Sequence, residues 1–194
     1  MLTLRETPFD PVQLHNGDVL AAGGDDQSAA NCELYDPAAG KWSITGDLNE
    51  GRSGFRATLL DDGQVLVAGG YPENSPGFVP DSELYDSASG TWDLSGSLNR
   101  PRALHVQLLL PDGRVLIAGG YAGHPSRALV TQSTETFDPS TGQWTLARPM
   151  NMPRGEFSGA LLNGAKVFVA GGTADVFSTD ILSSIEQYDP VAGR

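Results

Sequence analysis

Four stretches of this chain are near-copies: NGDVLAAGGD (16–25), DGQVLVAGGY (62–71), DGRVLIAGGY (112–121) and NGAKVFVAGGT (163–173). Their glycine pairs, Gly23-Gly24, Gly69-Gly70, Gly119-Gly120 and Gly171-Gly172, are spaced by 46, 50 and 52 residues. Three landmarks follow each pair in fixed order. Glu33, Glu83, Glu135 and Glu186 open ELYDP, ELYDS, ETFDP and EQYDP. Trp42, Trp92 and Trp144 sit in GKWSITG, GTWDLSG and GQWTLAR, and Arg52, Arg102 and Arg154 end LNEGR, LNRPR and MNMPR. A period of this length means one supersecondary unit per repeat, each needing its neighbours to bury its apolar face.

Within a unit the pattern is of four short strands. In the second unit these fall at 54–60 (a), 64–68 (b), 82–86 (c) and 91–95 (d). Strand b, QVLVA, is an unbroken apolar run and so is buried on both faces. Strand c alternates, with Leu84 on one face and Glu83 and Tyr85 on the other. A tight DDG turn joins a to b. DPAAG, DSASG and DPSTG join c to d, with Pro37 and Pro139 suited to the first turn position and Gly40, Gly90 and Gly142 to a left-handed one. The expected unit is a four-stranded antiparallel meander, and the expected fold class is all-β, with the sheets stacked radially as the blades of a β-propeller.

The combination of a double glycine, a Glu-x-Tyr-Asp stretch and a Trp about 20 residues after the glycines resembles the kelch repeat. Its wording, DG-x-VL-x-AGG and YDP-x-x-G-x-W, is similar to bacterial kelch propellers and to the central propeller of galactose-oxidase-like proteins. The resemblance covers nearly the whole chain and implies a scaffold, not an activity. The chain is expected to be one domain, 1–194, with blades at 8–47, 52–97, 102–148 and 154–194.

The fourth unit stops at YDPVAGR, before a d strand, and the first is preceded by LTLRETPF, which resembles WTLARPMN without the Trp. Either residues 2–6 pair with strand c of the fourth unit and close a four-bladed ring, or both ends are open edges of a larger propeller. The missing Trp, and the larger ring size that the kelch resemblance implies, favour the second.

The repeated residues are assigned to the scaffold. Trp42, Trp92 and Trp144, with Tyr35, Tyr85, Phe137 and Tyr188, are the expected inter-blade core. Glu33, Glu83, Glu135 and Glu186, which recur together with Arg52, Arg102 and Arg154, are expected to pin strand c and the inter-blade link through charge-assisted hydrogen bonds. The glycine pairs are expected where a side chain would clash or φ must be positive. Unrepeated residues on the b–c loops are the candidates for binding: Tyr71, Asn74, Phe78, Tyr121, His124, Arg127, Asp175 and Phe177.

The expected catalytic, metal and cofactor sets are empty. His15, His105 and His124 lack metal-ligand spacing. The Tyr–Cys crosslink and His pair that galactose-oxidase chemistry requires have no matching motif, and Cys32, the one cysteine, is expected to be buried. A net charge of −12 with two lysines argues against nucleic acid, and no apolar run is long enough to insert in a membrane as a helix. MLTLRETPFD has no basic-then-apolar signal pattern, and compartment and oligomeric state stay open. The functional expectation is a non-enzymatic binding scaffold for a protein or glycan partner. The alternative is the propeller portion of a secreted carbohydrate-active or galactose-oxidase-like enzyme.

Overall fold

The computed structural model describes residues 10–24, 29–73, 76–124, 127–163, 166–176 and 181–189. The first blade is β1 (Val12–Gln13), β2 (Val19–Ala22), β3 (Cys32–Asp36) and β4 (Lys41–Ile44), each antiparallel to the next. After the short β5 (Arg52–Ser53), the second blade is built from β6 (Arg56–Leu59), β7 (Val65–Ala68), β9 (Asp81–Asp86) and β10 (Thr91–Ser97), with β8 (Tyr71–Pro72) paired to β5 on the side. The third consists of β12 (Val106–Leu109), β13 (Val115–Ala118), β16 (Thr134–Asp138) and β17 (Gln143–Ala147). A separate small sheet joins β11 (Arg102–Ala103), β14 (Tyr121–His124) and β15 (Arg127–Val130). The fourth blade has β18 (Ser158–Leu162), β19 (Lys166–Ala170) and β20 (Ile185–Tyr188).

The innermost strands β1, β6, β12 and β18 meet in that order, so successive blades fan about an axis. The chain is therefore an all-β stack of kelch-type blades. Among the described residues no strand pairing links the first blade to the fourth. The proposed closure by residues 2–6 lies outside the described residues. Counting back from the register of β1 and β6, Val12↔Leu20 and Thr58↔Leu66, sets Leu2 in sequence register with Leu48 of the first link.

Burial follows the apolar pattern. Val65, Leu66, Val67 and Ala68 of β7 are all 0% exposed, because a blade covers each face. Each such Val or Leu contributes about 1.5–3 kcal/mol relative to an exposed position. The c–d turns repeat one hydrogen-bond pattern. Asp36 and Asp86 each accept the N–H two residues on (2.8 Å each), and Asp138 accepts that of Ser140 (2.9 Å). Gly40, Gly90 and Gly142 close the turns at φ of 64, 71 and 68°.

The glycine pairs meet both expected demands. Gly69 has φ of 68°, and a Cβ there would overlap the Arg102 carbonyl oxygen of the incoming link.

The arginines lock each link onto the blade that follows it. Arg52 Nη2 lies 2.6 Å from Glu83 Oε1, and Arg52 Nη1 donates to the carbonyls of Gly69 (3.3 Å) and Asp81 (2.7 Å). Glu83 also accepts both N–H groups of Asn49, main-chain and side-chain, at 2.7 and 2.9 Å. Arg102 and Glu135 repeat this set at 2.8 Å, and Arg154 approaches Glu186 at 3.2 Å through Nε. A buried pair is tolerated only when its remaining donors and acceptors are satisfied, and here the main chain does that. Burial pulls the Arg52 and Arg102 pKa values down, while Glu83 and Glu135 pull them back up.

Trp92 and Trp144 are buried at 6% and 7% exposure. Trp42 departs from the expectation and is only half-buried, since no described blade precedes the first. The b–c connection of the third blade, expected as a loop, contains the hairpin β14–β15.

Candidate binding face

Every blade runs in the same direction, so all the b–c connections emerge at one end of the stack. Three equivalent positions line the axis there: Gly54, Leu104 and Glu156, each two residues after a link arginine. They have φ of 63, 53 and 53°. Their main chains form a spiral, with Leu104 N donating to Gly54 O (2.8 Å) and Glu156 N to Leu104 O (3.3 Å). A non-glycine residue in the left-handed region is uncommon and marks a place the surroundings hold under strain. Two adjacent ones put the side chains of Leu104 and Glu156 at the centre of this face.

Around them sits a satellite core of Phe78, Ala103 and Tyr121, with Tyr71, Leu104, Val130 and Val176 packed against it. The Tyr71 and Phe78 rings are 5.3 Å apart and tilted at 41°. The Tyr121 hydroxyl donates to Glu156 Oε1 at 3.1 Å and lies 3.4 Å from Thr173 Oγ1. Burial raises the pKa of both Tyr71 and Tyr121, and the Glu156 carboxylate reinforces it. Both phenols therefore stay protonated at neutral pH and serve as hydrogen-bonding groups.

Beside this centre, a groove of about 620 Å³ runs between the second and third blades. Phe78, Arg100, Pro101, Leu129, Val130 and Thr131 line it. The hairpin β14–β15 forms one wall and presents Leu129 at 70% exposure. The tip pairs His124 with Arg127, whose side chain is exposed.

The structure thus brings Tyr71, Phe78 and Tyr121 together, but as a floor: Phe78 and Tyr121 are only 6% and 8% exposed. Arg127 lies at the hairpin tip and Asp175 is exposed. Asn74 and Phe177 lie outside the described residues. Sequence reasoning passed over Arg100, Leu104, Leu129 and Glu156. Aligning RSGF, RALH and RGEF would have flagged the last axial position, where Glu156 replaces a glycine. Among the described residues no three His, Cys, Asp or Glu side chains are placed to hold a metal ion. Cys32 is buried, with Sγ 3.4 Å from the Ala30 carbonyl.

The kelch motif matches residues 109–151. No curated protein matches the sequence. The solved structure of YjhT is similar over 97% of this chain and 65% of its own, at 19% identity and a TM-score of 0.77. A fungal alcohol oxidase of the AA5 family, solved with copper, is similar over 96% of this chain and 52% of its own, at 16% identity and a TM-score of 0.59. The chain therefore spans less than two thirds of either relative's length. Repeat, blade geometry and comparisons converge on one statement: this is a kelch-repeat β-propeller chain, similar in fold to the galactose-oxidase type.

Proposed function

We propose that the protein is a non-enzymatic binding scaffold that takes an extended segment of a protein partner into the groove between the second and third blades. The observation that carries this reading is Leu129, 70% exposed on a hydrogen-bonded hairpin above an apolar floor and opposite Arg100. An exposed apolar side chain on a rigid wall, rimmed by a cation, suits a protein segment. A glycan would call for more polar donors between the rings than Phe78, Val130 and Leu129 offer. The test pairs Leu129→Asp with Arg100→Glu and measures binding to peptide and glycan arrays. Retained folding with at least tenfold weaker capture of the parent's peptide ligands supports the reading. Unchanged capture, or capture of glycans alone, refutes it.

A second reading has one observation in its favour, the likeness to the AA5 alcohol oxidase. In it, the chain is the propeller of a larger galactose-oxidase-like enzyme whose reactive groups come from elsewhere. Copper-dependent alcohol oxidation by the product of the complete reading frame would establish it, and a frame that encodes only further kelch repeats would end it.

A further inference from the structure

The interface between the second and third blades differs from its siblings at two positions of the repeat. The link residue two before each arginine is Glu50, Arg100 or Met152, so the second link alone carries a cation there. Tyr71, Tyr121 and Thr173 lie opposite Ser53, Ala103 and Gly155 in register. Two residues after them come Glu73, Gly123 and Asp175, so the third blade alone lacks a carboxylate at that place.

The preceding interface shows where such a carboxylate sits. A Cβ on Gly51 would stand 2.8 Å from Glu73 Oε2 and 3.0 Å from the Ala30 main-chain nitrogen, so the Glu73 carboxylate lies over the link. Glu73 N donates to Gly51 O at 3.1 Å and fixes it there. At the next interface a Cβ on Gly123 would meet only the Arg127 carbonyl oxygen, at 3.5 Å, among the described residues. The place over the second link is therefore open. It is the groove described above, which Asn99, Arg100, Pro101 and Gly123 help to line, and both blades that form it have all four strands. No acidic side chain lines it, and among the described residues no carboxylate pairs with Arg100. Burial lowers the pKa values of Arg52 and Arg102; Glu50 opposes this at the first link, and the like charge of Arg100 adds to it at the second.

We propose that the partner's segment places an Asp or Glu side chain on Arg100, with an apolar neighbour against Leu129 and Val130. The partner thus supplies from outside the carboxylate that Glu73 supplies at the preceding interface. This rests on the reading of the groove as a peptide site and adds to it the charge of the peptide. A guanidinium presents planar donors matched to a carboxylate. In an extended segment, residues two apart share a face, so one can meet Arg100 while another meets the apolar wall. The preference runs against the background of the molecule. A net charge of −12 draws basic peptides at long range, so selectivity for acid has to arise within the groove.

The probe is a positional-scanning hexapeptide library, N-acetylated and C-amidated so that only side chains carry charge, with one position at a time fixed as Glu, Gln, Lys or Leu. The full chain is compared with Arg100→Met and Arg100→Glu. Both replacements stand at the same position in sibling links, as Met152 and Glu50, so the fold accommodates them. The expected result is capture of Glu pools about three- to fivefold stronger than of the matching Gln pools, the range for an exposed ion pair. Arg100→Met should level Glu with Gln and leave capture of the Leu pools unchanged, and Arg100→Glu should move the preference to Lys. Glu pools no better than Gln, or an acid preference that survives Arg100→Met, would overturn the proposal, while capture of Leu pools that Leu129→Asp abolishes would leave the peptide groove standing. Capture indifferent to Leu129→Asp throughout would refute the groove and this proposal together.

Discussion

The third and fourth blades are written in nearly the same residues, yet they bury them differently. In the third, Phe137 is 0% exposed and the Arg102–Glu135 pair is fully dry at 2.8 Å. In the fourth, Tyr188 is only partly buried, and the Arg154–Glu186 contact lengthens to 3.2 Å with the Glu186 side chain 11% exposed. What separates them among the described residues is the outer strand with its indole. The arginine positions the carboxylate, but the tryptophan above it keeps water away. The lesson is that a repeated motif need not carry a repeated energy, since its value depends on what covers it.

The largest test of this comparison is to delete both arginines in turn. Arg102→Ala strands Glu135 in a dry site and should cost about 3–5 kcal/mol in denaturant unfolding. Arg154→Ala should cost clearly less, because water already reaches Glu186. Equal losses would break the comparison.

Removing the cover should convert one blade into the other. Trp144→Ala should cost about 3–5 kcal/mol, and the subsequent Arg102→Ala should then cost less than it does in the parent. Trp42→Ala, at a half-buried site, should be milder than either Trp92→Ala or Trp144→Ala. Strict additivity of Trp144→Ala and Arg102→Ala would show that the indole and the pair act independently.

A finer contrast sits three residues after each arginine, at Phe55, His105 and Phe157. His105 is fully buried, and among the described residues neither ring nitrogen makes a hydrogen bond of ordinary geometry. Burial, with Arg102 and Arg56 adding to it, pushes its pKa well below the usual histidine range. In the unfolded chain it takes up a proton near pH 6.5. The unfolded state therefore binds more protons, and stability is lost as pH falls below that value. The loss is at most about 2 kcal/mol between pH 7 and pH 5 for one such group. His105→Phe should remove that share of the acid sensitivity, read from unfolding curves at the two pH values. An unchanged pH dependence would count against the placement.

The smallest expected effect is kinetic. Amides of β20 should exchange faster than those of β9 and β16, which have a strand on either side. Matching protection would show that the outer edge of β20, unpaired among the described residues, is covered in solution.

The architecture was legible because its signals are local and repeated. The Val-Leu-Val runs, the DPAAG-type turns and the glycine pairs each name a backbone conformation within a few residues. The Arg–Glu locks were legible for a different reason, as two charges recurring in step. The candidate face was less so. Its features depend on contacts between loops that share no pattern: Gly123, Pro125 and Ser126 signal a turn in the sequence but not the strands on either side of it, and the left-handed backbone at Leu104 and Glu156 lies among neighbours from different links. Of the aromatic residues picked as loop contacts, Tyr71, Phe78 and Tyr121 lie together, but Phe78 and Tyr121 lie under the surface because apolar side chains on adjacent loops pack against one another. Half-burial of Trp42 could not be read locally, since its residue pattern matches Trp92 and the difference lies in the neighbour.

One feature of the locks bears on how this protein can be cut and rejoined. Leu48, Asn49 and Arg52 sit on the link after the first meander, yet Asn49 and Arg52 bond to Glu83 of the second. The heritable module is therefore out of phase with the visible one. A graft that moves residues 52–97 as a blade leaves Asn49 with its donor and cuts the lock in half, whereas a graft of 48–97 carries it whole. Recombination between such repeats should succeed or fail by where it falls relative to the link, even when every strand is preserved.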